Sequence, residues 1–167
     1  MNSQECPIVY RADQASRANT DLSDKDSVEE IMSRTVRTVN SGGTVGRALQ
    51  AMANYDIGSI VVVEGKKPVG IVTERDFARK YTKAGKIDMK WNIEEISSRP
   101  VISVGPDAKV WDALDLMVKK KVRQLPVVKD GQLVGIATER DIFKWIVRVI
   151  HSPNIPADLQ KAIEQHL

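Results

Sequence analysis

The 167-residue sequence holds one cysteine and two histidines. Cys6 has no second cysteine for an internal disulfide and stands in a polar stretch, so neither a disulfide framework nor a cysteine-based metal site is available. His151 and His166 have no carboxylate or thiolate at ligand spacing, and no metal site is expected. No apolar run approaches the ~20 residues that span a bilayer, and the polar start Met1-Asn2-Ser3-Gln4-Glu5 lacks the apolar stretch of a secretory signal. A cytoplasmic protein without membrane contact is the expectation. The sequence also lacks a Gly-x-x-x-x-Gly-Lys loop and any Ser-His-Asp or Cys-His arrangement, which leaves catalysis without candidates; the chain reads as a non-enzyme. Nor is there an excess of one charge: 25 basic and 22 acidic residues are interspersed and leave a net +3. That balance is a weak sign of nucleic acid and also suits a small ligand bearing phosphate.

What the sequence does have is a repeat. Shifting the chain by 65 residues aligns residues 28–78 with 93–143 without a gap, with 20 identities in 51 positions. Val69-Gly70-Ile71 and Thr73-Glu74-Arg75-Asp76 recur as Val134-Gly135-Ile136 and Thr138-Glu139-Arg140-Asp141. Each copy reads as strand, helix, hairpin, helix. Val36 to Val39 and Val101 to Val104 are the opening strands. Val45, Ala48, Leu49, Met52 and Val110, Ala113, Leu114, Met117 mark one buried face of a helix. Ser59–Val63 with Val69–Val72, and Leu125–Val128 with Leu133–Ala137, are strand pairs joined by short polar turns that contain Gly65 and Gly131. Second helices run from Glu74 past Tyr81 and from Glu139 past Val147. One such unit has too little core to stand alone, so two β-α-β-β-α repeats are expected to pack as one α/β (α+β) module around a shared core.

The expected organisation is a polar, mobile leader over 1–26, repeat 1 over 27–84, linker and repeat 2 over 85–150, and a tail over 151–167. The tail's Leu159, Ile163 and Leu167 suit a short amphipathic helix that caps the module or meets a second subunit.

A strand, a helix and a hairpin ending in Gly-Ile-x-Thr-x-x-Asp, then a helix, all present twice, resemble the cystathionine-β-synthase (CBS) domain pair. The resemblance covers about residues 28–148 and includes Val122-Arg123-Gln124-Leu125-Pro126-Val127-Val128; Val61 stands where the second copy has Pro126. It implies two clefts related by a pseudo-twofold axis and an adenosyl ligand: AMP, ADP, ATP or S-adenosylmethionine. It also implies that Asp76 and Asp141 accept the ribose hydroxyls, a task for which a carboxylate has two acceptor oxygens. Thr73 and Thr138 lie on the same side of each cleft. Arg75 and Arg140 at the helix starts, and Arg123, favour a phosphate. The opposite repeat supplies the walls: Thr35, Val36, Ile57, Gly58, Ser59 and Ile60 for the Asp141 cleft, and Pro100, Val101, Val122, Arg123, Gln124 and Leu125 for the Asp76 cleft. The Asp141 cleft ranks first, because Gly58 and Ser59 leave room for backbone contact with a base.

Plainer readings stand beside these. Thr-x-x-Asp is also a capping box, with Thr as N-cap and Asp at N3, and the two roles can coexist. The arginines can be solvated helix residues. Lys119-Lys120-Lys121 with Arg123 is the one dense basic run, open to nucleic acid, yet it needs no role beyond the exposed end of a helix. Trp91, Trp111 and Trp145 read as core or dimer contacts. Phe77, Phe143, Ile146 and Val147 exceed what the internal sheets need, so a homodimer through helices is expected. Function thus reads as an adenine-nucleotide sensor that signals to a regulated protein. An S-adenosylmethionine sensor, a ligand-free dimerisation module and a nucleic-acid-binding protein remain as alternatives.

Overall fold

A computed structural model describes residues 8–9 and 26–151. Repeat 1 contributes β2 (Thr38–Asn40), α2 (Val45–Tyr55), β3 (Ser59–Glu64), β4 (Lys67–Thr73) and α3 (Glu74–Ala84). Repeat 2 contributes β5 (Ile102–Ser103), α4 (Val110–Lys120), β6 (Gln124–Lys129), β7 (Gln132–Thr138) and α5 (Glu139–Ile150). In repeat 1, β2 runs parallel to β3 and β3 antiparallel to β4. The second sheet repeats the plan, with β6 antiparallel to β7 and a parallel bridge from Val104 to Val127. Both hairpins turn on two residues. Gly65 alone has positive φ in the first, the type II′ pattern, whereas Asp130 and Gly131 both do in the second, the type I′ pattern.

One short element in each repeat escapes helical periodicity. A helical turn, α1 (Val28–Ile31), precedes the first strand, and a 3-10 turn over Ile93–Glu95 precedes the second. These turns leave their own repeats. Val28 and Met32 pack among Val104, Leu116, Leu125 and Trp145 in the core of repeat 2. Ile93 and Ile96 pack among Val45, Ile60, Val72 and Phe77 in the core of repeat 1. Most buried side chains thus fall into two clusters, each closed by the other repeat, while Val61, Val63, Val101 and Val128 are buried outside both.

Hydrogen bonds repeat the exchange at the 65-residue offset. Val28 N donates to Ala108 O at 2.8 Å as Ile93 N donates to Gly43 O at 2.9 Å, and Val110 N reaches Asp26 O as Val45 N reaches Trp91 O. Ser33 and Ile136 exchange two bonds of 2.9 Å; Ser98 and Ile71 exchange two of 2.8 and 3.3 Å. Glycine permits this approach, since a Cβ on Gly135 would lie 3.1 Å from Ser33 O and overlap Met32 Sδ, and one on Gly70 would lie 3.1 Å from the Ser97 side chain.

After Ser33 has paired with β7 of repeat 2, the chain must cross to pair Thr38 with Val61 in repeat 1. The opening strands are accordingly shorter than expected: Thr35-Val36-Arg37 and Arg99-Pro100-Val101 are the crossings and lie outside the strands. Phe77 also departs from expectation. It is 6% exposed and belongs to the repeat 1 core, so it is no part of an external stripe. Ile146 packs partly against the repeat 2 core. The large exposed apolar side chains on α4 and α5 are Trp111, Val118, Phe143 and Val147. Trp145 is buried and donates through Nε1 to Asp26, with Trp111 edge-on at 5.2 Å. Trp91 is half-buried, under Lys80.

Of the leader over 1–26, only Ile8–Val9 and Asp26 are described; the former make β1, parallel to β5. The expected tail helix lies outside the described residues. Among the described residues no helix is long and apolar enough to cross a membrane.

Because Ile93 closes the core of repeat 1, Ile93→Ala should destabilise the whole module by about 2–5 kcal/mol, the usual cost of deleting a buried isoleucine side chain. In urea a single transition is expected, and amide exchange should accelerate in β3 as well as beside residue 93. Acceleration confined to repeat 2 would contradict the exchange.

Candidate functional site

The crossing at Thr35-Val36-Arg37 opens a cleft of about 250 Å³ between the repeats. One wall is that crossing segment. A second is the entry to β3: Asp56, Ile57, Gly58 and Ser59, with Val61 beyond. Repeat 2 closes the cleft with Gln124, Ile136 and Thr138. Asp56 caps α2 in the left-handed conformation, φ 51°, which turns the chain sharply into β3. Ser59 and Gln124 occupy equivalent positions 65 residues apart and hydrogen-bond to each other, Ser59 Oγ donating to Gln124 Oε1, so they mark the pseudo-twofold axis.

Both Thr-x-x-Asp segments form full capping boxes. Asp141 Oδ2 accepts from Thr138 N at 3.0 Å and from Thr138 Oγ1 at 2.7 Å, while Asp141 N donates back to Thr138 Oγ1. Among the described residues nothing donates to Asp141 Oδ1. The carboxylate is therefore half committed: one oxygen holds the helix start and the other is open.

Asp76 makes the same box, but its Oδ1 accepts from Ser98 Oγ at 3.0 Å and lies 3.8 Å from Arg79 Nη1. At the position equivalent to Ser98, Ser33 turns its hydroxyl to Thr35 O instead. With the Ser98 bond and the Arg79 pair on one side only, Asp141 is half-buried with an open oxygen and Asp76 only 9% exposed with both oxygens engaged.

The sequence expectations distribute unevenly over this geometry. Thr35, Val36, Ile57, Gly58, Ser59 and Thr138 line one cleft together; Asp141 does not line it and is linked to it through its hydrogen bonds with Thr138. Ile60 does not line it: alternation along β3 puts its side chain in the repeat 1 core, as it puts Leu125 in the core of repeat 2. Gln124, expected on the Asp76 side, lines the Thr138 cleft because it stands on the axis. Arg140, Arg75 and Arg123 are exposed and do not line it. Pro100 is exposed, Val101 fully buried and Val122 half-buried on the opposite side of the axis, with Thr73 half-buried.

Sequence reasoning misses Arg37, Asp56, Val61 and Ile136. Reading 36–39 as a strand hides the crossing, in which Thr35, Val36 and Arg37 all line the cleft. Arg37 stands over the Tyr55 ring with its guanidinium carbon 3.7 Å from the centroid, so the aromatic face holds the cation at the mouth. Apolar Val36, Ile57, Val61 and Ile136 give the cleft a surface for a flat ring, and hydroxyl, amide and carboxylate groups surround it. The volume lies just below the roughly 300–1,000 Å³ of enclosed ligand pockets, so the cleft suits a ring and sugar whose charged tail extends to the mouth.

The sequence profile of the CBS domain matches residues 28–83 and 93–148. An uncharacterized protein of Methanopyrus kandleri is 41% identical over 120 residues, 71% of this chain and 61% of that protein. An inosine-5'-monophosphate dehydrogenase of Methanocaldococcus jannaschii is 35% identical over 118 residues, 70% of this chain but 23% of the dehydrogenase. The chain thus spans less than two thirds of either relative. Among solved structures, the CBS domain pair of protein MJ0100, in complex with 5-methylthioadenosine and S-adenosyl-L-methionine, superposes with a TM-score of 0.67 at 30% identity, over 74% of this chain and 97% of that one.

The unequal engagement of the two carboxylates has a thermodynamic consequence. Asp76→Ala strips the cap and the Ser98 partner at once, whereas Asp141→Ala removes the cap alone; with a hydrogen bond to a charged group contributing ~1.5–3 kcal/mol, the first variant should be the less stable by about 1 kcal/mol or more. Urea midpoints measure it, and equal midpoints would contradict the assignment.

Proposed function

The chain belongs to the CBS-domain family, with two copies at residues 28–83 and 93–148, and on that premise we propose that the Thr138 cleft binds an adenine nucleotide, AMP first, and signals its presence to a regulated protein. The observation that carries the proposal is the half-committed carboxylate of Asp141: its Oδ2 is bonded to Thr138, which lines the cleft, and its Oδ1 has no donor among the described residues. Adenine packs between Val36, Ile57 and Ile136, and the ribose donates to Asp141 Oδ1. The capping box keeps that oxygen in place. The phosphate falls to Arg37, the cation in the lining of the cleft. The adenosyl ligands of the MJ0100 pair support the adenosine half of the reading.

A second reading, S-adenosylmethionine, is favoured by Asp56, which lines the cleft with Arg37. A zwitterionic tail would satisfy both charges, its carboxylate on Arg37 and its ammonium on Asp56. In either case the ligand touches the crossing of repeat 1 and Thr138 of repeat 2, so its affinity depends on how the repeats lie against each other. That dependence is what ligand-driven signalling requires. The match to less than a quarter of the dehydrogenase supports a binding and signalling role over a catalytic one.

Titration calorimetry tests the site. With ~1.5–3 kcal/mol per bond to a charged group, Asp141→Ala should weaken AMP about tenfold or more, with Asp141→Asn in between. Arg37→Ala should weaken AMP and leave adenosine unchanged. AMP affinity within twofold of the parent in all three variants removes the assignment; preference for S-adenosylmethionine over AMP moves it to the second reading.

The exposed Trp111, Val118, Phe143 and Val147 on α4 and α5 support a homodimer through these helices. Light scattering at tens of micromolar should give twice the chain mass for the parent and the chain mass for Phe143→Glu. A monomeric parent would overturn it.

A further inference from the structure

Arg37 enters the cleft lining from the crossing, which belongs to neither sheet; its carbonyl accepts from Val61 N at 3.4 Å. An exposed arginine on such a segment samples many side-chain conformations, and a ligand that used it would lose free energy in ordering it. Here the guanidinium is already placed, with its carbon 3.7 Å from the centroid of the Tyr55 ring. Tyr55 is the last residue of α2, whose Val45, Ala48 and Met52 are buried in the repeat 1 core. Asp56 ends the helix directly after it, its N–H on Met52 O. The ring therefore stands on a rigid element and holds a cation that stands on a connecting one.

The kind of partner that holds an arginine decides what the arginine has left to offer. A carboxylate neutralises the charge and occupies N–H donors, as Glu29 does for Arg34 at 2.9 Å. A ring face attracts the cation through its quadrupole and brings no opposing charge. Among the described residues no carboxylate pairs with Arg37 and no acceptor takes its N–H groups, although Asp56 lines the same cleft. Charge and donors stay available. Tyr55 does not itself line the cleft, so its contribution passes through Arg37. The pair is not repeated: the equivalent positions of repeat 2 hold Ile102 and Lys120. It goes with the Thr138 cleft and not with the duplicated scaffold.

We infer that Tyr55 is a positioning residue that makes the Thr138 cleft selective for adenosyl ligands with an anionic tail, because it holds the Arg37 guanidinium in place with its charge uncompensated. The inference rests on the adenosyl reading of that cleft. A phosphate monoester and the carboxylate of an amino-acid tail share this chemistry. Each has a neutral counterpart without it: adenosine for AMP, 5-methylthioadenosine for S-adenosylmethionine.

Calorimetric titration of the full chain with these four ligands tests the inference, for the parent, Tyr55→Leu, Tyr55→Phe, Arg37→Ala and the Tyr55→Leu/Arg37→Ala double variant, with thermal melts to verify folding. Leucine keeps helix propensity and apolar bulk but removes the aromatic face; phenylalanine keeps the face and removes only the hydroxyl. Tyr55→Leu should weaken the anionic ligand about two- to fivefold, the loss of one exposed cation–π contact, and leave its neutral counterpart unchanged. Tyr55→Phe should match the parent. In the Arg37→Ala background Tyr55→Leu should have no further effect. This pattern with AMP identifies a phosphate tail, and with S-adenosylmethionine a carboxylate one. Anionic-ligand affinity unchanged in Tyr55→Leu but lowered in Arg37→Ala overturns the inference and leaves the cleft reading standing. An equal loss for the anionic ligand and its neutral counterpart, or the same loss with Arg37 already removed, also overturns it, since either gives Tyr55 a structural role alone. A parent that binds neither AMP nor S-adenosylmethionine, or an Arg37→Ala variant that binds them as the parent does, removes the Arg37 assignment and the inference with it.

Discussion

Two pairs of backbone hydrogen bonds, Ser33 with Ile136 and Ser98 with Ile71, govern the arrangement of this protein. They stitch the leading segment of each repeat to the last strand of the other. The segment so held inserts Val28 and Met32, or Ile93 and Ile96, into a core that its own repeat does not contain. A unit of this size buries too little apolar surface to stand alone, and reciprocal exchange solves the deficit for both halves. It also makes the halves interdependent. Gly70 and Gly135 are part of the same constraint, since a side chain at either would crowd the approaching segment.

The cleft follows from the stitching. Once Ser33 is paired on one sheet and Thr38 on the other, the residues between them span the gap, and the gap is the site. A ligand there contacts both repeats without any loop having been added. Its polar groups come from elements with structural duties: Asp56 ends a helix, Thr138 and Asp141 begin one, and Ser59 with Gln124 marks the axis. Under the proposed reading binding and folding use the same residues, divided by atom: Asp141 gives Oδ2 to the helix start, and its Oδ1 has no donor among the described residues.

Much of this was legible in the sequence because duplication made each element visible twice. The 65-residue offset revealed the unit, and helical periodicity placed α2 and α4 on the correct faces. Alternation and turn chemistry located the hairpins. The Thr-x-x-Asp segments announced both the caps and the candidate acceptors. What escaped was long-range. No local pattern says that Val28 serves the core of repeat 2, so the leading turns were passed over and two opening strands were drawn too long. For the same reason Arg37 was missed, being unremarkable as a strand residue and significant only as part of a crossing. Ile60 and Leu125 were placed in the clefts because sequence proximity to a site does not reveal which way a strand residue faces; the alternation of β3 and β6 sends both into cores. Phe77 was read as external because its role depends on Ile93 and Ile96, which arrive from the other repeat.

The two halves share a common backbone and differ in the engagement of their carboxylates, so an almost symmetric scaffold holds its two Thr-x-x-Asp segments in unlike surroundings. The central claim is that the crossing segment of repeat 1 and the helix start of repeat 2 jointly hold an adenosyl ligand. A crystal structure of the protein grown with AMP tests it most directly. Density for adenine against Val36, Ile57 and Ile136, with a ribose hydroxyl within hydrogen-bonding distance of Asp141 Oδ1, is the expected result. AMP bound away from these residues, or a Thr138 cleft filled only by water at saturating AMP, would contradict it.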